Sequence, residues 1–161
     1  MKTAVVYYSM SGNCEYTAKK IAQVLDADLI RLEPQKAYPD SGARKFLWGG
    51  KSAVMGEAPA LKPYKFDASA YDRIIFGFPV WAANPTPPIR TFIRDNKNGL
   101  SGKKFAAFAC QSGNGAEKAF VKLAAAIGIP EVSPTLVLID PKDRPKDTDA
   151  EKIEAFSAKL S

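Results

Sequence analysis

The sequence predicts an α/β domain, a parallel sheet with helices on both faces, and three observations carry the prediction. Short apolar, strand-like runs alternate with amphipathic helical segments about five times along the chain, the pattern of a parallel sheet covered on both sides. At 161 residues the chain has the size of a single domain with one substantial core. There is no internal repeat and no Gly/Ser-rich linker, so residues 1–161 read as one domain.

The elements follow in order. Thr3–Tyr8 (TAVVYY) is β-branched and aromatic, bounded by small polar residues, and reads as a buried strand. Tyr16–Leu25 sets Ala18, Ile21, Ala22 and Leu25 at helical spacing, with Lys19, Lys20 and Gln23 outside. Asp28–Glu33 alternates as a second strand, and Ala43–Met55 reads as a helix weakened by Gly49 and Gly50. Pro59 and Pro63 make Glu57–Phe66 an extended connection. Arg73–Phe78 (RIIFGF) is the strongest central strand, ending at Pro79, and Pro88–Arg94 reads as a helix with proline in its first turn. Lys104–Ala109 is the next strand, Gly115–Ala126 a helix ending near Gly128, and Thr135–Ile139 the last strand. Asp149–Leu160 closes the chain as a helix with Ile153, Phe156 and Leu160 inward.

Composition narrows the function classes. Histidine is absent, which removes imidazole bases and ligands, including Ser–His–Asp and Cys–His catalysis. Cys14 and Cys110 make neither a disulfide framework nor a cluster with metal-ligand spacing. No apolar run approaches the roughly 20 residues that span a bilayer, and the N-terminus lacks a secretory pattern; the expected location is the cytoplasm, with no membrane partner. The net charge of +6 comes from scattered lysines and arginines without interleaved aromatics, so no nucleic-acid partner is expected.

In parallel sheets ligands bind beyond the carboxyl ends of the strands, where strand order reverses. Three loops qualify. The first, Ser9-Met10-Ser11-Gly12-Asn13-Cys14, offers the Ser9 and Ser11 hydroxyls, a close backbone approach at Gly12 and the Asn13 amide, all before a helix N-terminus. It reads as a phosphate cradle made without a cation, or as an ordinary helix cap. Neither a Walker loop nor a G-x-G-x-x-G fingerprint is present, and no arginine follows either cysteine at the phosphatase spacing. The second loop, Gly77–Pro85, sets Trp81 just past a strand, suited to stacking on a flat ring, with small Ala82 and Ala83 leaving backbone accessible. The third, Cys110-Gln111-Ser112-Gly113-Asn114-Gly115, can present backbone groups to the polar edge of such a ring, or is a plain turn.

The order S-x-S-G-N-x, then G-x-P-V-W before a proline-led helix, then C-x-S-G-x-G resembles the flavodoxin family over nearly the whole chain, most of all its short members with a P-V-W motif. The resemblance implies a flavodoxin-like three-layer sandwich whose five-stranded parallel sheet has the order 2-1-3-4-5. It implies FMN, its phosphate at Ser9, Met10, Ser11, Gly12, Asn13 and Cys14. The isoalloxazine ring would lie beside Pro79, Val80, Trp81, Ala82, Ala83 and Asn84, its pyrimidine edge toward Cys110, Gln111, Ser112 and Gly113. Two departures stand out. Cys14 replaces the family's usual threonine, which removes one hydroxyl donor and about 0.5–1.5 kcal/mol of phosphate binding. The chain is also basic, with a pI of 9.3, where electron-carrying flavodoxins are acidic.

Flavin chemistry needs no protein acid or base, so the absence of histidine is no obstacle. The resemblance implies an electron carrier serving a redox partner protein. The alternative is an NAD(P)H-dependent quinone or flavin reductase, with the Tyr38–Met55 region as a lid and a small-molecule acceptor. A third reading keeps the phosphate loop without flavin.

Overall fold

The computed structural model describes residues 1–38 and 58–161. The helix expected over Ala43–Met55, and all of the expected lid beyond Tyr38, lie outside the described residues. The strands are β1 (Thr3–Tyr7), β2 (Asp28–Arg31), β3 (Arg73–Pro79), β4 (Lys104–Gln111) and β5 (Thr135–Ile139). They form one parallel sheet in the order β2-β1-β3-β4-β5, the expected 2-1-3-4-5 arrangement. The described α-helices are α1 (Asn13–Leu25), α2 (Pro87–Asn96), α3 (Ala116–Ile127) and α4 (Asp147–Ala158).

The alternation of side chains along each strand sorts them into two cores. Ala4, Val6, Ile74, Phe76 and Phe78 face Ile89 and Phe92 of α2 and Phe120 and Leu123 of α3. Val5, Ile75, Phe108, Leu136 and Leu138 face Ala18 and Ile21 of α1 and Ile153 and Phe156 of α4. The result is a three-layer sandwich, with α1 and α4 on one face and α2 and α3 on the other. Within it Gly77 is a close-approach position: a Cβ there would lie 2.0 Å from Cζ of Phe108, its register partner on β4. Among the described residues no helix is long and apolar enough to cross a membrane.

Several element ends shift by one to three residues from the sequence expectation, and three of these shifts lie at the carboxyl edge of the sheet or just after it. Helix α1 starts at Asn13 rather than Tyr16, so Asn13 and Cys14 belong to its first turn and the loop proper ends at Gly12. Strand β4 runs on to Gln111, because Cys110 pairs with Pro79 and Gln111 with Ile139. Cys110 and Gln111 are therefore strand residues, and the third loop begins at Ser112. Helix α4 begins at Asp147, two residues early.

Candidate functional site

Every strand ends at the same sheet edge, so the segments after β1, β3, β4 and β5 converge there. The first turns tightly: the Gly12 amide donates to Ser9 Oγ at 3.2 Å, and Gly12 has φ +96°, a conformation that favours glycine. Ser9 is buried and Ser11 exposed. Gly12 is the N-cap of α1 and has no side chain to accept from the helix's first amides. Those N–H groups and the helix's partial positive charge point into the loop, a place suited to an anion.

Asn13 has a different role from the one its sequence position suggested. Its Oδ1 accepts from the Lys142 amide at 2.9 Å and the Asp143 amide at 3.3 Å. Its Nδ2 donates to Ser11 Oγ at 3.2 Å and Asp143 Oδ2 at 3.1 Å. The side chain is 5% exposed. It fastens the segment after β5 to the head of α1, and its amide is already engaged.

The second segment is anchored by the Val80 amide, which donates to the Cys110 carbonyl at 3.0 Å. Trp81 and Asn84 then exchange backbone hydrogen bonds of 3.3 and 2.9 Å across a two-residue turn. Ala82 and Ala83 hold φ of 49° and 59° there, a left-handed conformation that costs about 1–2 kcal/mol per non-glycine residue. Asn84 is buried beneath the turn, donating to the Ala82 carbonyl at 2.6 Å and accepting from Arg90 at 2.9 Å. Trp81 is buried against Tyr8 and Tyr38, edge to face at centroid distances of 5.9 and 5.3 Å. Burial pushes the Tyr8 phenol well above its ordinary range, so it stays protonated.

In the third segment Gln111 Oε1 accepts from the Ala116 amide at 3.1 Å, so this side chain caps α3. Ser112 Oγ donates to Asp140 Oδ1 at 3.3 Å, while Gly113 is exposed at the tip. Cys14 and Cys110 are both buried. Burial, reinforced by the neighbouring Cys110, raises the Cys14 thiol well above its usual value; neither an adjacent cation nor exposure favours a thiolate.

A cleft of about 50 Å³ gathers most of the expected residues: Ser9, Met10, Ser11, Asn13, Cys14, Pro79, Val80, Trp81, Cys110, Gln111 and Ser112, together with Asp140. Gly12, Ala82, Asn84 and Gly113 do not line it, and Ala83 instead lines a neighbouring hollow of about 530 Å³ with Gln111, Gly115 and Val137. A hollow of about 270 Å³ lies on the other flank, beside Tyr8, Arg31 and Tyr38. Sequence reasoning missed Tyr8 and the whole segment Asp140–Asp143, and placed Tyr38 only at the start of the expected lid. The signal for the segment was present, since it follows β5 at the same carboxyl edge.

Comparison with known proteins fits this geometry. The model of the family described as Flavodoxin matches residues 2–142. A flavoprotein from Lactobacillus acidophilus NCFM, solved in complex with FMN, superposes with a TM-score of 0.74 at 22% identity, covering 97% of this chain and 98% of that one. The apo-form of the flavoprotein from the same organism gives 0.64 at 23% identity, covering 91% and 97%. A flavodoxin, WrbA-like protein from Agrobacterium tumefaciens gives 0.61 at 19% identity, covering 99% and 94%.

Proposed function

The chain belongs to the flavodoxin family, and from that premise we propose that it binds FMN at the carboxyl edge of its sheet and works as an electron-transfer protein. The observation that carries this reading is the loop Ser9–Gly12, which runs into a helix N-terminus without a side-chain cap. A phosphate monoester offers acceptor oxygens, and this loop supplies donors: the Ser9 and Ser11 hydroxyls and the first amides of α1. Cys14 lends its amide rather than a hydroxyl. The FMN complex of the Lactobacillus acidophilus flavoprotein, whose fold this chain shares, supports the same choice of ligand.

The ring end fits on one condition. Small-molecule sites typically hold about 300 Å³ or more, whereas the cleft between the three segments holds about 50 Å³. Seating a tricyclic ring therefore needs this cleft to widen, and the Trp81–Asn84 turn, whose Ala83 borders the hollow of about 530 Å³, is the segment we infer to give way. The strained Ala82 and Ala83 make that turn the part of the site closest to an alternative conformation. Once seated, the ring would have Trp81 against one face and Tyr8 and Tyr38 behind it, and this apolar wall would keep water away. Bound FMN supplies reversible transfer of electrons; the protein supplies binding, orientation and polarity.

A second reading, an NAD(P)H-dependent quinone or flavin reductase, draws on the hollow of about 530 Å³ that shares Ala83 and Gln111 with the cofactor segments. It has room for a second small substrate beside the ring.

Titration of the purified chain with FMN tests the main reading: bound flavin should give a yellow protein with quenched flavin fluorescence, and failure to take up FMN would refute it. Sustained NAD(P)H consumption with a quinone, without any partner protein, would favour the reductase. Ser9→Ala and Ser11→Ala are the appropriate variants, because any side chain at Gly12 meets an unfavourable φ before it meets phosphate.

A further inference from the structure

We propose that Lys142 is a phosphate-recognising residue of this site, bringing one positive charge to a cradle whose other donors are neutral. The assignment rests on the FMN-binding reading and adds to it the residue that separates a phosphorylated flavin from an unphosphorylated one.

The argument begins with the backbone. Strand β5 ends at the sheet edge, and the next residues fold back onto the first turn of α1, held by the bonds from the Lys142 and Asp143 amides to Asn13. The Lys142 side chain then lies across Gly12. A Cβ built on Gly12 would stand 2.7 Å from Nζ, 3.2 Å from Cδ and 3.5 Å from Cε of Lys142. The ammonium thus sits directly over the residue that caps α1, where the uncapped amides converge.

The surrounding charges leave that ammonium available. Asp140 is engaged by Arg144 and by Ser112. Asp143 accepts from Asn13. Glu15, in the first turn of α1, pairs with Lys19 and Arg31. Among the described residues Lys142 forms no ion pair. Its residue is exposed, and its four-carbon stem can follow a ligand a short way. For an exposed cation a few ångströms from a dianion, water-screened attraction amounts to about a tenfold change in affinity at low salt.

The test compares the unsubstituted chain, Lys142→Gln and Lys142→Arg, each titrated with FMN and with riboflavin by fluorescence quenching at low and high salt. Lys142→Gln should bind FMN about tenfold more weakly at low salt, bind riboflavin unchanged, and lose most of the salt dependence of FMN binding; Lys142→Arg should keep most of the FMN affinity. Equal FMN affinity in Lys142→Gln and the unsubstituted chain would overturn the assignment while leaving FMN binding intact. An equal loss for both flavins would overturn it too, since that marks a structural role. An unsubstituted chain that binds no FMN would overturn the functional reading and this assignment with it.

Discussion

Asn13→Ala separates two accounts of the same residue. In the structure Asn13 is a clamp: two backbone amides donate to its Oδ1, and its Nδ2 donates to Ser11 and Asp143. Truncation removes four hydrogen bonds and leaves part-buried amides of the 142–143 segment without an acceptor. A net hydrogen bond is worth about 0.5–1.5 kcal/mol, and an orphaned buried group costs more. Two of the four involve partners that water can satisfy, so the expected loss is about 2–4 kcal/mol. With a urea m-value of about 2 kcal/mol/M, the unfolding midpoint should fall by about 1–2 M. Asn13→Asp refines the test. It keeps an acceptor for both amides but sets a carboxylate against Asp143 Oδ2, 3.1 Å from the present Nδ2. That repulsion raises the carboxyl pKa in the folded state, so its destabilisation should shrink as pH falls through the carboxylate range. If Asn13 were instead a phosphate donor, Asn13→Ala would weaken FMN binding and leave the urea midpoint within about 0.3 M. That result would refute the clamp.

Three further outcomes are expected. Gly77→Ala should lower stability by about 1–3 kcal/mol in chemical unfolding, because the new methyl meets Phe108 at 2.0 Å; adding Phe108→Leu should recover part of the loss. Raising the pH above the ordinary thiol value of 9.0 should destabilise the chain, since the raised Cys14 pKa means that the unfolded state releases its proton first; Cys14→Ala should show a flatter decline between about pH 9 and 10.5. Replacing Ala82 and Ala83 together with glycine removes left-handed strain at both positions and adds unfolded-state entropy, for a net gain of about 1 kcal/mol in thermal unfolding.

The strands were legible because each is written locally. TAVVY, RIIFGF and TLVLI carry their own burial, and the crossover pattern leaves few ways to arrange them. The misplaced boundaries lie where a distant strand or loop decides. Cys110 reads as a buried small residue at a strand end and is one. Gln111 looks like a turn residue in a window of ten, yet its pairing with Ile139 of β5 extends β4 through it. Asn13 looks like a loop amide, yet it joins α1 because its side chain is satisfied by residues about 130 positions away. In the site, the three loops were found because small residues after strands form a local signal. What each side chain does there was not local: Gln111 caps α3, Asn84 braces a turn, and Trp81 leans on Tyr8 and Tyr38.

The same distinction bears on the charge of the phosphate site. Read along the chain, the cradle holds no cation, because none falls within Ser9–Cys14. Read through the fold, the cradle has a further wall, the segment after β5, and the Asn13 clamp fixes where that wall stands. Lys142 reaches Gly12 because its own amide is bound to Asn13, so the clamp and the cation are one device. Asn13→Ala should therefore lose FMN affinity indirectly, through a displaced Lys142. In the Asn13→Ala background, Lys142→Gln should then cost less than the roughly tenfold expected in the unsubstituted chain. A full additive loss in that double variant would separate the two residues and refute the coupling.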